Sequence, residues 1–232
     1  MRGRLFKVLP LGVAFICLGC ILLSAGCSSG SARFRYVLGS TGAPGTSVDV
    51  DVDGKTVLTG ISFGAAGTYK SSSSGSHQFE IFQTGTTTNP FFNGSVSLSS
   101  GDTTVISVNT FSTMAMAAFT DDNTAPTSGN IKLRFIHGSP TAGGVDVYVI
   151  QPPNTIGGLS PQLTVQYKEA SGYLSLTAGT YEVVMTQAGT QNPISGLDST
   201  YSLTAGQVRT IVILDGPSGG GPYRQVILSD LN

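Results

Sequence analysis

Asp49, Asp51 and Asp53 alternate with valines and precede Gly54 in the segment SVDVDVDGKTV. Carboxylates at this spacing open the calcium loop of EF-hand proteins, which closes with a bidentate glutamate at its twelfth position. Counted from Asp49, that position is Gly60, so the closing ligand is missing. The pattern instead predicts a strand with an exposed acidic face, followed by a type I′ hairpin turn at Asp53 and Gly54. We therefore expect no metal site, and calcium held on that face or by a neighbouring loop is the alternative.

The two histidines are the next candidates for chemistry. His137 in RFIHGSP corresponds to Leu38 in a related upstream segment, and a position that accepts leucine favours a buried, structural histidine. His77 alternates with Phe79 and Ile81 on a predicted strand, so we interpret it in the same way. No Ser-His-Asp or Cys-His arrangement can be argued from the sequence, and no cluster has zinc-ligand spacing. We therefore expect no catalytic residue and no cofactor.

Four tyrosines could stack on a sugar ring: Tyr69, Tyr148, Tyr167 and Tyr173. Aromatic rings are the usual platforms for sugars, and tryptophan is absent from this sequence. Core packing and strand propensity explain tyrosines in strands more often. Sugar binding through these side chains therefore stays an alternative.

The elements that must position these residues occur twice along the chain. Four pairs of segments match in the same order: 35–52 with 134–149, 75–86 with 179–190, 97–108 with 202–213, and 118–123 with 227–232. A repeat of this length predicts the duplication of a whole domain of roughly 90–100 residues. The second copy does not repeat the alternating carboxylates, because Asp49 corresponds to Asp146 whereas Asp51 corresponds to Tyr148. This difference argues against a metal site in the acidic stretch.

The hydrophobic spacing in both copies is that of strands. Apolar residues recur at every second position in VDVDV, FEIF and TVISV, and turn-forming pairs such as DG, SG and NP follow about every eight to twelve residues. No amphipathic helical stretch of useful length is present. We therefore expect an all-β protein with two tandem immunoglobulin-like β-sandwich domains after a signal peptide, and a small barrel is the alternative for each domain.

The expected organisation has five parts. They are a lipoprotein signal peptide at 1–26, a tether at 27–33, a first β-sandwich domain at 34–123, a linker at 124–130 and a second β-sandwich domain at 131–232. The linker, TAPTSGN, is rich in proline, glycine and small polar residues, as connections between domains commonly are. The tether has the composition of a flexible spacer.

The leader has the layout of a secretory signal peptide. Arg2, Arg4 and Lys7 form a basic start, an uncharged apolar run follows, and small residues precede the expected cleavage site. The apolar run from Val8 to Leu23 is slightly shorter than the about 20 residues that a transmembrane helix needs. We therefore expect an exported protein without a spanning helix in this segment.

The leader ends in LLSAGCSSG, which resembles the lipobox of bacterial lipoproteins, where small residues precede a lipidated cysteine. Carried over, the resemblance makes Cys27 the lipidation site, and its acyl chains would hold the protein at a membrane surface. Cys20 is the alternative, although cleavage there leaves ILLSAG on the mature chain. Ser28 stands where an aspartate would resemble an inner-membrane retention signal. The outer membrane is therefore the favoured location, with the protein facing the periplasm or the surface.

Charge and cysteine content restrict the partners and the stabilising forces. The 12 basic and 13 acidic residues of the whole chain become 9 and 13, a net charge of −4, once the three basic leader residues are removed. A weakly acidic chain offers no basic surface for binding nucleic acid.

Cys17, Cys20 and Cys27 are the only cysteines, so no pair remains for a disulfide in the mature chain. The domains must then be stabilised by core packing.

The segment IKLRFIHGSPTAGGVDVYV, residues 131–149, resembles the start of the DUF4397 domain, a bacterial extracytoplasmic β-domain of undefined function. That family opens with an apolar strand, a His-Ala/Gly-Ser-Pro turn, a short small-residue loop and VDVYV. The later segments 176–190 and 201–214 also resemble its strands. The second copy carries the resemblance, and the first is the divergent one, with Leu38 in place of the histidine. The resemblance implies a tandem all-β envelope protein and implies no known activity or catalytic residue.

These observations favour a non-enzymatic, lipid-anchored cell-envelope protein that acts as an interaction or spacer module. Its expected partners are the membrane, through the N-terminal lipid, and an envelope protein or polysaccharide. The alternative is a protein that binds a polysaccharide or another envelope component through loops at one end of a sandwich. An enzyme is the least favoured class.

Overall fold

The computed structural model of the protein describes residues 30–43 and 45–231. The expected signal peptide and the expected lipidation site, Cys27, lie outside these residues. Within the described ranges the chain forms sixteen strands and one short 3-10 turn, and it has no α-helix. No helix in this part of the chain is long and apolar enough to cross a membrane. The all-β prediction is confirmed.

The first sandwich has eight strands in two sheets. The strands are β1 (Ser31–Leu38), β2 (Ser47–Val52), β3 (Lys55–Ser62), β4 (Lys70–Ser73), β5 (Gly75–Gln83), β6 (Phe92–Leu98), β7 (Gly101–Val108) and β8 (Ala115–Asp121), with the 3-10 turn (Phe111–Thr113) before β8. One sheet has the order β4-β1-β7-β8 and the other β3-β2-β5-β6. β1 and β7 run parallel, and all other neighbours in the two sheets are antiparallel.

The second sandwich repeats this topology. Its strands are β9 (Asn130–His137), β10 (Val145–Ile150), β11 (Leu163–Val165), β12 (Leu174–Thr177), β13 (Gly179–Gln187), β14 (Pro193–Leu203), β15 (Val208–Leu214) and β16 (Arg224–Leu231). The sheets have the orders β12-β9-β15-β16 and β11-β10-β13-β14, and β9 and β15 are again parallel. The structure therefore confirms two sandwiches, each with four strands in both of its sheets.

The strands extend slightly beyond the expected domain limits. β1 begins at Ser31, inside the segment 27–33 that we expected to be a tether, and β9 begins at Asn130, the last residue of the expected linker. The early start of β1 has a physical reason. Ala32 is buried in the first core, and the Arg33 guanidinium donates to both carboxylate oxygens of Asp102 (2.7 and 2.6 Å) on β7.

Two separate cores fill the sandwiches, and their side chains follow the predicted strand spacing. The first core contains Phe34, Val50 and Phe79, and the second contains Phe135 and Val147 among many others. The valines of β2 are buried and its alternate residues are half-buried, as the period-two pattern predicts. β15 is buried at every position, and its last four residues, 211–214, form an uninterrupted apolar run. A strand of this kind must be covered on both faces.

A third apolar cluster covers the outer face of β15, and it joins the two sandwiches. Its fully buried members are Val37, Ile106, Val108, Ile136, Val212, Leu214 and Leu228. The first three belong to β1 and β7, and the others belong to β9, β15 and β16. The sheet β4-β1-β7-β8 therefore packs on the sheet β12-β9-β15-β16, so the β-sheets form four stacked layers.

Six polar side chains form a closed hydrogen-bonded circuit beside this cluster. We call them the interface ring: Arg35, Thr104, Asp121, Arg134, Thr210 and Asp230. Arg35 of the first sandwich donates from Nε to the Thr104 hydroxyl (2.9 Å) and forms an ion pair with Asp230 of the second. The Arg35 side chain is 3% exposed and the Asp230 side chain 0%. This ion pair therefore crosses between the sandwiches in a site closed to water.

The other half of the ring repeats these contacts in the opposite direction. Arg134 donates from Nε to the Thr210 hydroxyl (3.1 Å) and forms an ion pair with Asp121 of the first sandwich. The Thr104 hydroxyl donates to Asp121 (2.8 Å), and the Thr210 hydroxyl donates to Asp230 (2.6 Å). Each threonine therefore accepts from an arginine and donates to a carboxylate, which closes the circuit.

An aromatic tyrosine side chain lies over each of the two arginines of the interface ring. Arg35 lies 5.0 Å from the centre of the Tyr69 ring, and Arg134 lies 4.8 Å from the centre of the Tyr173 ring. The Tyr69 hydroxyl also donates to the Asp121 carboxylate (2.6 Å). Cation–π contacts at desolvated sites stabilise a guanidinium in addition to its ion pair.

We predict that Arg134→Met lowers the free energy of unfolding by about 3–5 kcal/mol, because it leaves the Asp121 carboxylate buried without its cation. Lys132→Met is the matched control, since the partner of Lys132 is Asp122, whose side chain is 54% exposed. We expect the control to lose about 1 kcal/mol or less. Urea denaturation of the two variants measures both values, and equal losses would contradict the role of the ring.

Candidate functional site

The acidic stretch of β2 is part of the turn structure. The Asp49 carboxylate accepts hydrogen bonds from the Gly60 N–H (2.8 Å), the Gly85 N–H (3.0 Å) and the Thr84 hydroxyl (3.0 Å). Both of its oxygens are used in this way, and they tie β3 and the turn after β5 to β2. Asp146 has the same role in the second sandwich, where it accepts from the Gly189 N–H (2.7 Å).

The end of β2 forms the predicted hairpin turn. Asp53 has a φ of 51° and Gly54 a φ of 73°, and two residues with positive φ define a type I′ turn. No group of three or more His, Cys, Asp or Glu side chains that could hold a metal ion occurs in residues 30–43 and 45–231. The carboxylates of Asp49 and Asp53 accept hydrogen bonds from backbone N–H groups of neighbouring strands and turns.

We predict that Asp49→Asn destabilises the fold by about 1–2 kcal/mol, because an amide NH2 group then faces a backbone N–H. Asp51→Asn is the matched control on the same strand, and we expect a change of less than about 0.5 kcal/mol. Thermal denaturation with and without Ca²⁺ measures both effects. A rise in Tm with Ca²⁺ that is lost in Asp49→Asn would support a metal site instead.

His137 is fully buried, as the sequence predicts. Its Nε2 donates to the Gly143 carbonyl (2.6 Å), and its Nδ1 accepts from the Ser139 N–H (3.2 Å), so the ring is held as a neutral tautomer. Burial lowers the pKa of His137. The buried Ser139 hydroxyl donates to Asp215 instead of to the histidine. Serine, histidine and aspartate are therefore close together without the bond that would activate a nucleophile.

His77 is nearly buried but has the opposite electrostatic environment. Its Nδ1 lies 2.7 Å from the Asp53 carboxylate, and its Nε2 lies 2.8 Å from the Ser73 carbonyl. Two acceptors around one ring favour the doubly protonated, charged form. The hydrogen bond to Asp53 accordingly raises the pKa of His77. These two contacts tie β5 to the turn at Asp53 and to the end of β4.

We predict that the two histidines titrate on opposite sides of the ordinary pKa of 6.5. In a proton NMR titration of the folded protein, one Hε1 signal has its midpoint above pH 6.5 and the other below. His77→Gln removes the higher midpoint. His137→Leu, which introduces the residue found at position 38 in the first copy, removes the lower one.

Because the two pKa values are shifted in opposite directions, the stabilising contributions of the two histidines depend on pH in opposite ways. Because the folded-state pKa of His77 is raised, its stabilisation is complete below pH 6.5 and is lost as the pH rises through the raised value. Because the pKa of His137 is lowered, its stabilisation is present above pH 6.5 and is lost as the pH falls through the lowered value. Midpoints in the reverse order would contradict both environments.

The four candidate tyrosines are occupied by the fold. Tyr148 is 2% exposed because the segment after β10 covers it, which agrees with the favoured interpretation of core packing and rules out the alternative of sugar stacking at this residue. Tyr69 and Tyr173 lie over the arginines of the interface ring. The Tyr167 hydroxyl donates to the Asn109 side chain (2.6 Å) across the two sandwiches. Packing therefore explains all four tyrosines.

A surface cleft, which the sequence did not predict, lies beside the connection between β10 and β11. In the first sandwich the corresponding strands are joined by Asp53 and Gly54 alone, whereas in the second they are joined by residues 151–162. This connection, which we call loop 151–162, lies on the outer face of its sheet. Ile156 packs there against a cluster that includes Tyr148.

Two glutamine side chains hold loop 151–162 in place. Gln162 accepts from the Val149 N–H (2.9 Å) and donates to the Val149 carbonyl (3.3 Å). Gln191, which follows β13, donates to the carbonyls of Ile156 (3.1 Å) and Leu159 (3.0 Å). The loop is therefore an ordered part of the second sandwich.

The space between the loop and β10 has a volume of about 750 Å³, and we call it the loop cleft. It is lined by Val149, Ile150, Gln151, Pro153, Asn154, Thr155, Leu159 and Tyr181. A smaller hollow of about 220 Å³ shares Ile150, Asn154 and Thr155 with the cleft. Its lining also includes Glu182 and Asp198. The loop cleft is therefore lined by apolar and uncharged polar side chains, and carboxylates occur only in the hollow beside it.

One sequence signal could have revealed the cleft. The segment QPPNTIGGLSPQ, residues 151–162, has no counterpart in the first copy, where the two residues DG stand in its place. An insertion rich in proline, glycine and asparagine between two predicted strands indicates an added surface loop.

These features define an all-β protein of two packed sandwiches with a cleft on the second. The chain belongs to the DUF4397 family, a domain of unknown function, whose family model matches residues 32–148. The matched residues span the first sandwich, which we expected to be the divergent copy, and continue into β10. A search of the curated proteins gives no match.

Three solved structures that resemble the chain do so at low TM-scores. Family 41 carbohydrate-binding modules from streptococcal virulence factors, which recognise alpha-glucan, match with 11% sequence identity and a TM-score of 0.28. This match covers 80% of the present chain and 95% of the chain of the solved structure. A streptococcal virulence factor that binds alpha-glucan matches with 11% identity, 78% and 92% coverage and a TM-score of 0.25. A leucine-rich repeat protein from Bacteroides thetaiotaomicron has 14% identity, 78% and 25% coverage and a TM-score of 0.19. These scores are too low to carry an argument about function.

Proposed function

We propose that the protein is a lipid-anchored module of the bacterial cell envelope, in which two sandwiches act together as one rigid, non-enzymatic spacer or interaction unit. The observation that carries this proposal is the interface between the sandwiches. An apolar cluster and two buried ion pairs hold the β1 and β9 sheets face to face. Domains joined by a large apolar contact move as one body, whereas small polar contacts allow relative motion.

The reactive side chains support a structural role. The Asp49 carboxylate is used by three donors, the neutral His137 ring is bonded at both nitrogens, and the Ser139 hydroxyl is held by Asp215. Groups that are buried and fully hydrogen-bonded stabilise a fold. An activity that disappears in His137→Leu while the fold persists would overturn the non-enzymatic assignment.

Lipidation of Cys27 would place the first sandwich close to the membrane. Cys27 and Ser31, where β1 begins, are so near in sequence that the chain between them spans about 14 Å at most. The β4–β5 connection lies at the same end, since the Ser74 N–H donates to the Gly30 carbonyl (2.8 Å). In this arrangement the first sandwich lies against the lipid headgroups, and the second is carried by the first through their interface. Ser28 favours the outer membrane, as set out above.

We predict that Cys27→Ala abolishes lipidation and moves the protein from the membrane fraction to the soluble fraction. The proposed anchor is the acyl chains on Cys27, so a protein without this residue has no lipid to hold it at the membrane. Cys20→Ala is the matched control within the same leader and keeps the protein in the membrane fraction. Incorporation of an alkyne-labelled fatty acid, followed by fractionation, measures both properties. A Cys27→Ala protein that is still labelled and membrane-bound would contradict the anchor.

Protease treatment of intact cells then distinguishes the two faces of the outer membrane. Digestion on whole cells indicates a surface-facing module, and the relevant partners are then glycans or surface proteins outside the cell. Protection until the envelope is broken indicates a periplasmic module, and the partners are then components of the envelope itself.

A further inference from the structure

Loop 151–162 is an addition that the sandwich fold does not require. The first sandwich joins the corresponding strands with Asp53 and Gly54 alone. Ordering the longer loop costs conformational entropy, and it leaves Leu159 with 44% of its surface exposed. Fixing such a loop with two glutamine side chains is expected where the loop shapes a binding surface.

We propose that the loop cleft binds a neutral saccharide chain. Its volume of about 750 Å³ lies within the roughly 300–1,000 Å³ of small-molecule sites. This inference goes beyond the proposed spacer function, because such a site works whether or not Cys27 is lipidated. The observations that support it are the unused polar groups of the loop, the charge of the lining and the closed edge of β10.

The polar side chains of the cleft are available to a ligand. Gln151, Asn154 and Thr155 are exposed, and their side chains make no hydrogen bond within residues 30–43 and 45–231. By contrast, the amides of Gln162 and Gln191 are used to hold the loop. Amides and hydroxyls donate as well as accept, which is the pattern that a ligand rich in hydroxyl groups requires.

The charge of the lining points to a neutral ligand. The loop cleft contains no charged side chain, and the adjoining hollow contains the carboxylates of Glu182 and Asp198 without a lysine or arginine. An anionic polymer would meet these carboxylates with no compensating cation. A carboxylate can, however, accept a charge-assisted hydrogen bond from a sugar hydroxyl. Pro153 and Leu159 add an apolar surface against which the C–H face of a sugar ring can pack.

A peptide strand is a poorer fit than a saccharide at this place. A peptide that adds to a sheet needs free N–H and C=O groups on the edge strand. Beyond the short β11, both backbone groups of Val149 on β10 are bonded to the Gln162 side chain. The edge next to the cleft is therefore closed to strand addition, and the exposed side chains of the loop remain as the binding groups.

The test is isothermal titration of the purified full-length protein with four neutral oligosaccharides: maltohexaose, cellohexaose, laminarihexaose and mannohexaose. Polygalacturonate is the anionic comparator. We expect saturable binding of at least one neutral oligosaccharide. The double variant Asn154→Ala/Thr155→Ala should bind it at least about tenfold more weakly. Thr88→Ala is the matched control, because Thr88 is an exposed loop residue of the first sandwich, and it should bind like the unchanged protein.

Three results would overturn the proposal. They are the absence of binding to all four neutral oligosaccharides, binding of polygalacturonate alone, and neutral binding that the double variant leaves unchanged. Far-UV circular dichroism and Tm of the double variant confirm that its fold is retained, which exposed side chains make the expected outcome. Because the titration does not involve Cys27, its failure leaves the anchored spacer intact, and failure of the anchor leaves the cleft intact.

Discussion

Arg35 and Arg134 each form an ion pair with a carboxylate of the opposite sandwich. The arrangement of the two sandwiches depends on these two ion pairs. Removing a guanidinium and a carboxylate from water costs several kcal/mol per ion, and only close, well-bonded pairing offsets that cost. The threonines and tyrosines of the interface complete this bonding. The apolar cluster supplies the attraction, and the ring fixes the register, because a shifted interface would leave charges unpaired in a dry site.

The layered arrangement explains features that neither sandwich explains by itself. β15 is buried on both faces because one face lies in the second core and the other meets the first sandwich. Tyr69 and Tyr173 are part of this contact, and each ring lies against one of its arginines. The two sandwiches differ from each other on the faces that lie away from the interface. There the second sandwich carries loop 151–162 where the first has a tight turn, so one half is a plain scaffold and the other carries the cleft.

Local patterns in the sequence predicted much of the fold. Alternating valines indicated β2, Asp53 and Gly54 indicated its turn, and the match between position 137 and Leu38 indicated a buried histidine. The ring could not be predicted, because it joins residues that are up to 195 positions apart. Alignment of 97–108 with 202–213 also pairs Thr104 with Arg209, whereas the strand register places Thr210 opposite Arg134. The pairing of β9 with β15 is regular, so the offset of one residue lies in the sequence alignment of the two copies. The burial of Tyr148 depends in the same way on an insertion whose path the sequence does not reveal.

Differential scanning calorimetry of the soluble Cys27→Ala protein tests most directly whether the two sandwiches form one cooperative body. If the apolar cluster and the ring couple them, the protein unfolds in a single transition, and the ratio of the calorimetric to the van 't Hoff enthalpy is about one. Two resolved transitions, or a ratio of about two, would show that the sandwiches unfold independently. That result would contradict the interface as the feature on which the rest of the structure depends.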